Sequence, residues 1–183
     1  MRSHAVVVLL AFLGAALAAV GVASGASRTS EPPCIAGQLS GTFSAVPGSA
    51  GAGNISYVLR LRNRSTRACF VSGLPRLRLV GKLGKLLPTN LMPANRGALT
   101  AVRVVLKPGG YSAATARFSP DVPGVGEPVA GRQCEPTAYR ARVSPPPGGG
   151  TLVVPITPPT PVCEHGTMLF SVLVAGRKGP NTP

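Results

Sequence analysis

The sequence has no tryptophan, only five acidic residues and two histidines, and its aromatic residues make up 4% of the chain. Each shortage removes a class of protein. Without tryptophan, the buried indole at the centre of antibody-type domains is missing. With a single aspartate, Asp121, and no Gly-x-Ser-x-Gly elbow, a Ser/His/Asp hydrolase has little to be built from. There is no Cys-x-x-Cys pair of the kind structural zinc sites use. The acids Glu31, Asp121, Glu127, Glu135 and Glu164 are scattered through expected loops, so a glycosidase-like carboxylate pair would need two of them to converge. Beyond the N-terminal segment no stretch keeps a helical apolar period over three turns, and no internal repeat is evident.

The N-terminus carries an export signature. Arg2 and His4 precede an apolar run from Ala5 to Val22, and small residues follow at Ala23, Ser24, Gly25 and Ala26. This pattern reads as a signal peptide over residues 1–26, with cleavage near Ser24 or Ala26. The competing reading is an uncleaved anchor, because a run of about 18 apolar residues just spans a bilayer. A lipidated cysteine is disfavoured, since Cys34 follows Glu31-Pro32-Pro33 and lies well past the apolar run. Residues 27–33 read as a loose tether, 34–175 as one domain and 176–183 as a flexible tail. Removing 1–26 takes away one positive charge and leaves +13 of the +14, so the basicity belongs to the folded part.

All four cysteines, Cys34, Cys69, Cys134 and Cys163, fall in the exported part. An even count in an exported chain reads as two disulfides. Three pairings are open. Cys34–Cys69 with Cys134–Cys163 is favoured, because each bond joins neighbouring segments and closes a loop of about 30–36 residues, worth roughly 3–4 kcal/mol.

The best-specified strand lies between Gly53 and Pro75. There Ile55, Tyr57, Leu59 and Leu61 alternate with Ser56, Val58, Arg60 and Arg62, the period of a strand with one buried face. A weak strand over Ile35–Ala45 precedes it, and Arg76–Val80 follows a Gly73-Leu74-Pro75 corner. Further strands are expected at Lys85–Leu87, Ala101–Leu106, Tyr111–Phe118, Thr137–Val143, Thr151–Ile156 and Met168–Val174. In Thr137–Val143 the inward residues are expected to be Tyr139, Ala141 and Val143. Thr89–Leu99 and Ser119–Pro136 read as loops, and Pro155–Pro161 as too rich in proline for a central ladder. Eight or nine short strands with Gly/Pro punctuation predict an all-β fold, an immunoglobulin-like β-sandwich in layout.

These residues resemble a known family. Gly51-Ala52-Gly53-Asn54, the strand to Asn63-Arg64-Ser65, and Cys69-Phe70-Val71-Ser72-Gly73-Leu74-Pro75 are similar to the small secreted actinobacterial domain of unknown function 4232. Leu106-Lys107-Pro108-Gly109-Gly110-Tyr111-Ser112-Ala113 looks like its strand-turn-strand, and Cys134 and Cys163 sit where its second cysteine pair would. The resemblance covers about Cys34 to Val174 and implies an exported β-sandwich with two disulfides. It implies no activity and carries over no functional residues. The chain is more basic than the resemblance leads one to expect, with no Asp from Leu79 to Leu87.

Arg60, Arg62, Arg76, Arg78, Arg103, Arg117, Arg140 and Arg142 fall on expected outward strand faces. On neighbouring strands they would form a guanidinium stripe that attracts anionic wall polymers or a membrane surface. Arg60, Arg62, Arg76, Arg78, Arg140 and Arg142 are therefore the candidate anion-binding residues. The plainer reading is that they only solvate the open face of an arginine-biased protein. Nucleic acid is disfavoured as a partner, since stacking aromatics are few and no nucleic-acid motif is present; an envelope protein is the other candidate. No cofactor, catalytic residue or metal ligand is assigned. The expected function is thus a non-enzymatic secreted or surface module. The alternative is a cell-envelope enzyme with a loop-built site around Asp121, Glu164 and His165. The sequons at Asn54 and Asn63 read as coincidence.

Overall fold

The computed structural model describes residues 30–95, 102–129 and 133–180. The expected signal peptide over 1–26 lies outside these residues, as does the start of the tether. Eleven strands are present: β1 (Leu39–Ala45), β2 (Ile55–Asn63), β3 (Cys69–Ser72), β4 (Arg76–Val80), β5 (Asn90–Pro93), β6 (Arg103–Leu106), β7 (Tyr111–Phe118), β8 (Ala138–Ser144), β9 (Leu152–Thr160), β10 (Thr167–Phe170) and β11 (Val174–Ala175). Nine of them form one sheet in the order β4-β8-β9-β1-β2-β7-β10-β5, with β11 also on β7, and β3 pairs with β6 in a separate ribbon. Only β1–β9 and β5–β10 run parallel. The fold is therefore mostly β and holds two disulfides, as expected. Its hydrogen bonds trace a nearly closed, barrel-like mixed sheet, without by themselves dividing it into the two sheets of an immunoglobulin-like sandwich.

The core forms where the strand period demands it. Tyr57, Leu59 and Leu61 of β2 are fully buried, and each such aliphatic side chain contributes about 1.5–3 kcal/mol. In place of a tryptophan, an aromatic chain crosses the interior. Phe43 packs on Tyr57 at 5.2 Å and on Phe170 at 5.9 Å, and Tyr57 packs on Phe118 at 5.2 Å. The Tyr57 hydroxyl donates to the Pro158 carbonyl (2.8 Å), which satisfies the polar end of a buried ring. Asn63 is also fully buried. Its amide donates to the carbonyls of Arg67 and Leu106, and its oxygen accepts from the backbone and hydroxyl of Ser65. An amide so engaged is not free to carry a glycan, in keeping with a coincidental sequon.

Several strand boundaries move. The Lys85–Leu87 strand reduces to one bridge between Val80 and Leu86. β3 and β5 appear where no strand was expected, and the last strand divides into β10 and β11. β9 continues through Pro155, Pro158 and Pro159 in mid-sheet, contrary to expectation. Its ladder with β1 is limited to Phe43↔Ile156 and Ser44↔Thr157, while on the β8 side Pro155 stands opposite Arg140 next to the bulge. A bulge between Ala138 and Arg140 sets Ala138, rather than Tyr139, inward with Ala141 and Val143.

The bonds Cys34–Cys69 and Cys134–Cys163 are formed, at sequence separations of 35 and 29. The described tether is tied down: Phe70 N–H donates to the Pro32 carbonyl, and Arg103 pairs with Glu31 at 3.2 Å. The described tail is also held, with Thr115 Oγ1 donating to the Pro180 carbonyl (2.7 Å). No helix among the described residues is long and apolar enough to cross a membrane.

Candidate functional site

Alternation places the arginines of β2, β4 and β8 outward, and the sheet order divides them into two patches. Arg76 and Arg78 of β4 lie beside Arg140 and Arg142 of β8, all four exposed. Arg78 is the direct cross-strand partner of Arg142, and Arg140 that of Val80. A shallow groove of about 330 Å³ runs along Arg76, Arg78 and Arg142 and is floored by Leu86 and Leu91. Two strands without a lysine or arginine, β9 and β1, separate this patch from the second.

The second patch joins Arg60 and Arg62 to a residue that pattern reading missed, Arg177. Its segment folds back over the sheet after β11. Arg62 and Arg177 lie over the Tyr111 ring, 5.6 Å and 4.3 Å from its centre, and Arg60 Nε donates to the Arg177 carbonyl (2.8 Å). Cation–π contact of this kind contributes about 0.5–1 kcal/mol at an exposed site and fixes the guanidinium plane. These side chains, with Ser40 and Thr42, line a groove of about 420 Å³. Arg103 is occupied elsewhere, 3.8 Å over the Phe70 ring and paired with Glu31. Arg117 lies in a third hollow with Ser56, Thr115 and Ser171. Among the described residues, Arg103–Glu31 is the only ion pair that any lysine or arginine makes.

A separate cluster forms next to Cys134–Cys163. Glu164 and His165 both have φ of 56°, so the turn Cys163–Gly166 is left-handed and directs successive N–H groups into one hollow. Glu127 fills that hollow. Its carboxylate accepts from the N–H of Gly124 (2.6 Å), Glu164 (2.9 Å) and His165. Burial pushes the Glu127 carboxyl up, but these donors and the His165 ring outweigh it and hold the pKa below its ordinary value. Glu135 shifts the other way: burial first, then the charge of Glu127 and a hydrogen bond to it, raise its pKa against the lowering effect of His165.

The family described as domain of unknown function DUF4232 matches residues 34–170. The chain belongs to this family. No curated protein and no solved structure matches it. As a DUF4232 domain it comes with no assigned activity, so the chemistry has to be read from its own side chains.

For the constellation of Asp121, Glu164 and His165 on which the alternative enzyme reading rested, this DUF4232 chain gives a different grouping. Glu164 supplies a backbone N–H while remaining exposed, and Asp121 is exposed in the preceding loop. The side chains that His165 meets are Glu127 and Glu135, with Nδ1 at 3.7 Å and 3.9 Å from their oxygens. The convergence of carboxylates that the scattered sequence positions argued against does occur, between this pair.

Proposed function

We propose that this DUF4232 domain is an exported, non-enzymatic module that binds anionic cell-envelope polymers through its two arginine patches. One observation carries the reading: the outward guanidinium groups of β2, β4 and β8 have no carboxylate partner among the described residues. Guanidinium groups present fixed donor forks suited to phosphate and carboxylate. The Tyr111-braced groove adds shape to charge. Export is supported by the apolar N-terminal run with its small-residue cluster and by two disulfides, which persist in oxidising compartments.

On layout, we read the sheet as immunoglobulin-like. In support, β1 is antiparallel to β2 on one side and parallel to β9 on the other, so the short β1–β9 ladder is the seam between a β4-β8-β9 wall and a β1-β2-β7 wall.

The test is a pull-down from intact cell envelopes with the disulfide-bonded domain. Capture of a phosphate-bearing polymer at low salt that is lost at high salt supports the proposal. Capture of a protein that survives high salt overturns it and assigns the interface to a strand edge or loop.

A further inference from the structure

Glu127, Glu135 and His165 take no part in the arginine patches, and their side chains draw together at one corner beside the Cys134–Cys163 bond. His165 Nε2 lies 3.0 Å from the Val125 carbonyl. A carbonyl only accepts, so Nε2 carries the hydrogen, and in the neutral ring Nδ1 presents a lone pair. That lone pair faces carboxylate oxygens of Glu127 and Glu135 at 3.7 Å and 3.9 Å. One ligand atom from each of the three residues lies within 4.8 Å of the other two. Three potential ligand atoms thus lie together, and among the described residues no lysine or arginine pairs with either carboxylate.

We propose that this corner is a divalent transition-metal site, in which His165 Nδ1 and one oxygen each of Glu127 and Glu135 bind a single zinc-class ion. One imidazole nitrogen with two carboxylate oxygens is a donor set that zinc accepts. Zinc ligands at about 2.0–2.2 Å from the ion lie about 3.3–3.6 Å from one another, so the observed spacing needs only a small contraction. The exposed imidazole can supply it by rotating, since 63% of the His165 side chain is accessible. The support behind the ligands is in place. Three N–H groups hold Glu127, the Val125 carbonyl sets the His165 tautomer, and the disulfide joins the residues preceding Glu135 and Glu164-His165. The sulfurs of Cys134 and Cys163, although near Glu127, are spent in their bond and are not ligands. The side open to solvent leaves positions for water or for a donor from another molecule, as in zinc sites with three protein ligands.

Calorimetric titration of untagged, chelator-treated, disulfide-bonded protein with zinc at neutral pH tests the site. One ion is expected per chain, with affinity falling about tenfold or more in both His165→Asn and Glu135→Gln. Asparagine tolerates the left-handed backbone at 165, and neither substitution removes the Glu127 clamp. X-ray absorption of the zinc complex is expected to show only nitrogen and oxygen neighbours. Absence of saturable binding to the folded wild-type protein overturns the proposal, as does binding unchanged in both variants or sulfur in the coordination shell.

Discussion

Arg78 and Arg142 stand directly opposite each other across the β4–β8 ladder, both exposed and without a carboxylate partner. Like charges in register repel, at a cost of about 0.2–1 kcal/mol. Arg142→Glu should therefore raise stability by about that amount, seen as a higher denaturant midpoint, while weakening retention on anionic vesicles. A substitution that stabilises the fold and weakens binding separates a functional arginine from one that merely keeps the surface soluble. If both stability and retention are unchanged, the pair serves only as solvation.

Stability against pH carries two opposed contributions from the Glu127 corner. Glu127 has a lowered pKa, so its stabilisation is full above the ordinary value of 4.5 and is lost as pH falls through its folded value. Glu135 has a raised pKa, so its favourable contribution is full below 4.5 and is lost as pH rises through its folded value. In chelator, Glu127→Gln should lower neutral-pH stability by about 1–3 kcal/mol and flatten the acid limb. Glu135→Gln should instead raise stability at neutral pH. Urea midpoints from pH 3 to pH 8 report both signs, and identical curves for the two variants would contradict the assignment.

Gly166 closes the left-handed turn at φ of 76°, and a Cβ there would run into the Pro88 carbonyl just before β5. Gly166→Ala should cost about 1–3 kcal/mol through backbone strain alone, and more through the collision. Hydrogen exchange should show the loss concentrated at Asn90–Pro93 and Thr167–Phe170, the parallel pair that this turn leads into. Unchanged protection there would mean that the turn does not brace the pair.

The sequence was most legible where burial imposes a period. β4 follows its alternation from Arg76 to Leu79 and β2 does so except at Val58, which is buried with Val46 and Ala113 on the other face, and β8 slips by one residue only where a bulge intervenes. β5 was hidden because Asn90–Pro93 is partly exposed without alternation and pairs with Thr167–Phe170, far along the chain. β9 was cut short by its prolines, of which Pro155 sits opposite Arg140 next to the β8 bulge and Pro158 and Pro159 lie beyond the two pairs made with β1. Of the arginine patches, the strand residues were readable, whereas Arg177 depends on a chain reversal that no pattern announces. The Glu135–His165 contact was half-visible, because the favoured Cys134–Cys163 bond already placed their neighbours together. Glu127 was not, since nothing local shows that the Glu164–His165 turn is left-handed and opens onto it.

The central claim is that the arginine patches bind an anionic envelope surface, and a salt series tests it most directly. Affinity for phosphatidylglycerol vesicles and for a glycerol-phosphate polymer should be measured for the wild-type domain, Arg60→Gln/Arg62→Gln and Arg78→Gln/Arg142→Gln. The Debye length falls from about 30 Å at 0.01 M salt to about 3 Å at 1 M. The account predicts binding that declines steadily over this range, with a shallower decline and weaker binding in each double variant. Affinity that is insensitive to salt, or equal in all three proteins, would contradict it.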